Sequence, residues 1–422
     1  MNGHEGREGH EGNEGQPGFS RRSMLLGGGA LGAFGAIGLA SPASARSLWT
    51  WSPKTSVAGA GAGVDPEWVW DEQADPVIAG VIERGEVAKV NDLLAQWKRN
   101  DQPLPDGLPA DLREFMEDAR KLPSWADPAQ LDRGSKFSKT KGIYVGALYG
   151  LGSGLMSTAI PRESRAVYYS KGGADMKDRI AKTARLGYDI GDLNAYKPDG
   201  SMVVTAVKTR MVHAAVRHLL PQSPAWTQVS GGQKIPISQA DILVTWHSLA
   251  TFVMRKLKDW GVRVNSADAD AYLHVWQVSA AMLGVRAEYI PKTWDAANAQ
   301  SKQVLDPILA HTKEGEELTD VLLGIVAELD LGLTRPLISA FSRYTLGGRV
   351  GDMIGLSKEP ILEPLVAGAW PLLVAFREGL IPIPGVPAVM WTLEEAIRRF
   401  VLLFLAEGQP IAINLPDMNR PE

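Results

Sequence analysis

Apolar residues recur at three- and four-residue steps through most of this chain, a period that predicts helices. Residues 77–98 carry the pattern, and so do residues 110–122, which Pro123 terminates. Residues 143–160 contain no charge at all. Gly146, Gly150, Gly152 and Gly154 within that stretch predict close approach of a backbone or a flat ligand. By length it would also serve as a membrane span. Lys139, Lys141, Arg162 and Glu163 at its flanks favour a buried helix instead. Asp175 opens a further helix, and residues 202–220 form the next, closed by Pro221. Ser238 with Asp241 predicts a capping box ahead of residues 242–260, with Gly261 as the stop. Residues 267–283 end at Gly284, and residues 317–331 end at Gly332. Thr392 and Glu395 form a second capping box, for a helix that ends at Gly408. No run of alternating positions predicts a strand. The expected fold class is all-α. No linker interrupts the helical pattern, so residues 67–410 are read as one large domain, with a short tail at 411–422.

The N-terminus follows different rules. Residues 1–18 hold a near-repeat of His, Glu and Gly with almost no apolar content. Arg21 and Arg22 then precede a Gly- and Ala-rich apolar run from Met24 to Ala40, and Ala43-Ser44-Ala45 offers a small-x-small cleavage site. That order describes a twin-arginine secretory signal over residues 1–45. A membrane anchor is the lesser reading, because six glycines dilute a run of barely spanning length. Residues 46–66, rich in Ser, Gly, Ala and Pro, read as a leader of the mature protein. Twin-arginine export carries folded chains, often with a cofactor already inserted.

Charge and composition narrow the chemistry. Removing the signal's four acids and three arginines changes the net charge from −4 to −3, which argues against nucleic acid as partner. The chain has no cysteine. Disulfides, thiolate metal sites, cysteine nucleophiles and covalent haem attachment are all excluded. An exported chain without disulfides depends on its core, and this length permits a large one. Thirteen tryptophans, from Trp49 to Trp391, are read mainly as core or interface anchors.

Two short constellations carry the candidate chemistry. Arg179-Ile180-Ala181-Lys182-Thr183 is followed by Arg210-Met211-Val212-His213. Residues three and four apart share a helix face, so Arg179, Lys182 and Thr183 line one side of a helix. Arg210 and His213 line one side of another. An imidazole facing a lysine, with arginines beside them, suits a cofactor that carries a metal and acidic groups, as haem does. Together with Glu163 in Pro161-Arg162-Glu163-Ser164-Arg165, this ordered set resembles the latex clearing proteins. These are secreted b-type haem oxygenases that cut poly(cis-1,4-isoprene). The resemblance runs from about Trp68 onward and is most specific between Glu163 and His213.

The resemblance implies a globin-like haem-binding core with added helices, one haem b and dioxygen as co-substrate. It implies His213 as the proximal iron ligand. Lys182 becomes a distal ligand of a closed state, which must leave before dioxygen binds. Thr183 would hydrogen-bond oxygen or the lysine. Glu163 would act as a general base on an allylic proton of the isoprene unit. Arg179 and Arg210 would pair with haem propionates or buttress the site. Plainer roles stand beside each of these. His213 could be a hydrogen-bonded core histidine, Lys182 a surface lysine, and Thr183 a helical threonine bonded to its own backbone. Glu163 could be a helix-start carboxylate paired with Arg165, and Arg179 an i,i+4 partner of Asp175. His218, His247, His274 and His311 are competing ligands without the Arg-x-x-His context.

Gly347-Gly348-Arg349-Val350-Gly351 lacks the spacing of a dinucleotide fingerprint, and hydrolase and Walker motifs are missing. The reading is therefore an exported oxygenase of polyisoprene, not membrane-embedded once mature, with nothing requiring more than a monomer. Its products would be oligoisoprenoids with aldehyde and ketone ends. Two other classes remain at this point: an exported haem- or lipid-binding protein without turnover, and a haem peroxidase or oxygenase acting on a small terpenoid or phenol.

Overall fold

Two aspartates and a serine set the starts of three helices around what becomes the site. Asp175 accepts from the Asp178 amide at the head of Met176–Ile190, and Asp127 accepts from the Ala129 and Gln130 amides ahead of Pro128–Thr140. Ser238 and Asp241 form the expected capping box before Gln239–Trp246. The computed structural model describes residues 49–328, 335–380 and 411–421. All of them belong to one compact unit, Ser47–Glu422. The signal segment, the turn at Gly332 and the Thr392–Glu395 box lie outside the described residues.

Among the described residues, helices are the only regular elements, joined by two isolated bridges, Ser56 to Pro291 and Ser170 to Asn419. In chain order the α-helices are α1 (Ala74–Glu83), α2 (Val87–Leu94), α3 (Ala110–Ala119), α4 (Pro128–Thr140), α5 (Gly142–Ala147), α6 (Pro161–Tyr169), α7 (Lys171–Ala174) and α8 (Met176–Ile190). They continue with α9 (Met202–Leu219), α10 (Pro224–Val229), α11 (Gln239–Trp246), α12 (Phe252–Asp259), α13 (Ser266–Met282) and α14 (Trp294–Val304). The last are α15 (Lys313–Ala327), α16 (Arg335–Leu346), α17 (Gly348–Met353) and α18 (Leu362–Arg377). One large apolar cluster runs from Val69 through α1, α9, α11 and α13 to Leu415. Helices α4 and α13 make the most extensive pairing. Gly134 permits it, since a Cβ there would lie 2.4 Å from the Ala271 carbonyl oxygen.

Three expected helices are broken. Residues 77–98 split into α1 and α2 at Gly85, whose φ of 68° reverses the chain. Residues 143–160 start as α5, widen into a π-helix over Leu148–Gly154 and end in a single 3-10 turn, Ser157–Ala159. Residues 242–260 are likewise interrupted by a π segment, His247–Thr251. The two wide segments meet, and Ser153 Oγ donates to the Ser248 carbonyl at 2.5 Å. Residues 143–160 are uncharged on every side, so they offer no polar face whose shift would reveal a π segment.

No helix among the described residues is long and apolar enough to cross a membrane. One bent pair, Gly142–Ala159 with Pro161–Tyr169, meets the length and composition test but turns by 93°. Leu148, Leu155, Met156, Ala159 and Ile160 within it are buried in the protein.

Candidate active site

Helices α6, α8 and α9 carry the three predicted constellations to the wall of one cavity of about 710 Å³. That volume falls within the range of small-molecule and cofactor sites. Glu163, Arg179, Lys182, Thr183 and His213 all line it. Tyr149, Leu249, Trp246 and Trp276 supply apolar walls, and the two π segments contribute Ser153, Gly154 and Ser248. A buried link fixes α8 against α9: Asp189 accepts from Arg185 at 2.8 Å and from Thr205 at 2.5 Å.

His213 is enclosed by protein, and what surface it retains faces the cavity. Its Nδ1 is buried with no hydrogen-bond partner among the described residues. Burial, then the charges of Arg217 and Arg179, push its pKa down to about 3, against a small opposing effect of Asp71. The imidazole is therefore neutral, with a lone pair available to a metal. The competing histidines are all engaged. His247 bridges Thr251 and Gln300 at 2.8 Å each. His274 accepts from the Asp127 amide at 2.8 Å, His311 sits 3.2 Å from Glu316, and His218 lies 3.9 Å from Glu83.

Glu163 stands in the first turn of α6, half-buried and facing the cavity. Burial raises its pKa to about 8, opposed by a 2.6 Å hydrogen bond from Thr245 and by the Arg179 charge, and aided by Asp241. Its expected plain partner, Arg165, turns instead to Glu314 at 3.8 Å. Arg179 is also half-buried, and burial pulls its pKa down while Glu163 opposes that shift. No carboxylate lies within ion-pair distance of Arg179 among the described residues. Its proposed partner Asp175 is used as the helix cap.

Three predicted residues behave differently from expectation. Arg210 does not reach the cavity. Its guanidinium grips Asp71 at 2.6 and 2.8 Å and Gln73 at 2.9 Å, so of its two expected roles it takes the buttress. The reason is packing: the turn at Gly284 lies against this pair, and Arg217 joins it at 4.0 Å from Asp71. Thr183 faces the cavity, but its hydroxyl donates to the Arg179 carbonyl at 3.1 Å. Lys182 Nζ is held by Asp178 at 2.5 Å, one helical turn back. The i,i+4 spacing of Asp178 and Lys182 was the sequence signal for that pair. No sequence signal pointed to Thr245, which reaches Glu163 across 82 positions. The C-terminal residues Ile413–Met418 also line the cavity, where only a tail was expected.

Gly150, one of the four glycines expected to allow close approach, is not part of the cavity wall, and a Cβ there would meet no atom within 4 Å. The π-helix turns Ser153 and Gly154 to the cavity in its place.

Fold and site together define an all-helical protein, among the described residues, whose candidate chemistry is gathered around one cavity lined by a neutral imidazole. Residues 142–376 match the family described as ER-bound oxygenase mpaB/B'/Rubber oxygenase, catalytic domain. The rubber oxygenase of Streptomyces sp. (strain K30) is 82% identical over 404 residues, 96% of this chain and 99% of that protein. A solved structure of latex clearing protein in the closed state superposes with a TM-score of 0.81 at 83% identity, covering 88% of this chain and all of that one. The chain belongs to the rubber oxygenase family, and it is an oxygenase.

Proposed function

We propose that this protein is an exported, haem b-dependent dioxygenase that cleaves the C=C bonds of poly(cis-1,4-isoprene) into oligoisoprenoids with aldehyde and ketone ends. The observation that carries the reading is the neutral His213 imidazole, facing the same cavity as a half-buried Arg179 with no ion-pair partner among the described residues. A neutral imidazole and a guanidinium without a counter-charge on one cavity suit a ligand that bears a metal and carboxylates. Haem fits that pair: His213 would hold the iron, and Arg179 would take a propionate. When bound, haem would supply iron for dioxygen chemistry. The absence of cysteine leaves non-covalent attachment as its only mode.

The protein's own residues do the remainder. The tryptophan and leucine walls bind a hydrocarbon segment and exclude water. Thr245 fixes one oxygen of Glu163, leaving the other to accept an allylic proton. Burial makes that carboxylate more basic than a solvated one. Asp178 holds Lys182 at the cavity edge, and Lys182, once released from Asp178, could serve as a second ligand to the bound group. Export through the twin-arginine signal places the enzyme with a polymer too large to enter a cell.

The test is an absorption spectrum and haem extraction on the purified protein, followed by oxygen uptake with latex. A Soret band, extractable haem b and latex-dependent uptake are expected. His213→Ala should lose most of the haem or shift its spectrum. A colourless parent protein, expressed with ample haem, would sink the reading.

A further inference from the structure

The last described residues, 411–421, form a non-helical strap across the side of the cavity. They and Asn91 lie outside the family's matched domain, which ends at residue 376. The strap is attached at both ends and in the middle. Ile411 packs against a small apolar cluster of Ala181 on α8, the helix of Lys182, and Ile325 on α15. Asn91 on α2 clips Leu415 in both directions: its amide donates to the Leu415 carbonyl at 3.0 Å and its oxygen accepts from the Leu415 amide at 2.8 Å. Leu415 is 3% exposed. Asn419 donates to the Leu219 carbonyl at 2.7 Å, at the end of the His213 helix. The Arg420 amide donates to the Tyr169 carbonyl at 3.1 Å, at the end of the Glu163 helix. The helices of Lys182, His213 and Glu163 are thus joined to one another by the same eleven-residue segment.

We propose that this strap is part of the cofactor-binding site, and that its docking retains the bound group. The inference rests on the haem reading above. Between its attachments the strap turns Ile413 and Leu415, both nearly inaccessible to solvent, toward the cavity. A flat apolar macrocycle would meet these side chains as its lateral wall. A group held by one imidazole and one guanidinium could leave past the wall that Ile413 and Leu415 form, and the docked strap would close that side. The cavity is therefore complete only once the end of the chain has docked.

The experiment starts from the haem-loaded enzyme and follows haem transfer to an excess of apomyoglobin. Asn91→Ala removes two net hydrogen bonds from the clip, and release should accelerate about tenfold, the factor that 1.4 kcal/mol makes. Asn419→Ala removes one bond at the strap's other end, and release should accelerate about threefold. It decides the matter if Asn91→Ala does not fold. In both variants the Soret position should match the parent, since His213 is untouched. Parent-like release in the folded variants overturns the proposal, including the case where only KM for latex changes. In that case the strap serves the substrate. A parent with no haem to transfer overturns this proposal and the haem reading together, whereas a coloured parent with unchanged release overturns this one alone.

Discussion

Two ionisable residues show how the protein spends its electrostatics. Glu163 titrates near 8 when folded, against an ordinary value of 4.5. Between those values the folded state holds a proton that the unfolded state has lost. Its contribution to stability therefore declines as pH rises from about 4.5 and is gone above about 8. Glu163→Gln should flatten that part of the melting temperature against pH. The same carboxylate becomes a base only as pH rises through about 8, so turnover on latex should climb through that range and lose the climb in Glu163→Gln. A parent profile flat across pH 8 would remove the base role. Asp71 is the opposite case. Burial alone would raise its pKa, but the hydrogen bond and charge of Arg210 hold it below the usual carboxylate value. Asp71→Asn leaves Arg210 buried against a neutral partner and should cost about 3–5 kcal/mol in urea unfolding. A loss below about 1 kcal/mol would mean that water, not Asp71, solvates Arg210.

At the scale of elements, the cavity depends on places where regular helices stop being regular. The π segments Leu148–Gly154 and His247–Thr251 face each other and turn Ser153, Gly154, Ser248 and Leu249 inward. The 3-10 turn after the first one presents Ser157 to the same space. Ser157→Phe should narrow the cavity and cut turnover while haem content stays at the parent level. Unchanged turnover would show that the polymer does not pass there. This wall also marks the limit of what the sequence discloses. Helix caps such as Asp175 and Ser238 are local chemistry and were legible. The ordered set of Glu163, Lys182 and His213 was legible through the family resemblance it carries, and the three line one cavity. Arg210 was misplaced because three-residue spacing puts it only about 60° from His213. That angle suffices for one side chain to meet Asp71 while the other meets the cavity. Thr245 and the C-terminal strap reach the site through tertiary contacts that no local pattern encodes.

Over the whole molecule, burial is distributed unevenly around the cavity. Helix α13 buries eleven of its side chains and pairs with α4 through Gly134. Helix α8 buries only Ala181, Asp189 and Ile190, although it carries Arg179, Lys182 and Thr183. Local stability follows buried contacts, so the two sides of the cavity should open at different free energies. A bound cofactor stabilises whatever encloses it, by roughly 4 kcal/mol when free ligand stands a thousandfold above its Kd. That gain should fall on the weak side. Hydrogen exchange on cofactor-free and loaded protein should therefore differ most over α8 and the strap at 411–421, and least over α4 and α13. Equal protection changes on both sides would indicate that the apo chain opens globally, with the cavity acting as one cooperative unit. Changes confined to α8 and the strap would identify the weakly buried wall as the route by which the cofactor enters and leaves.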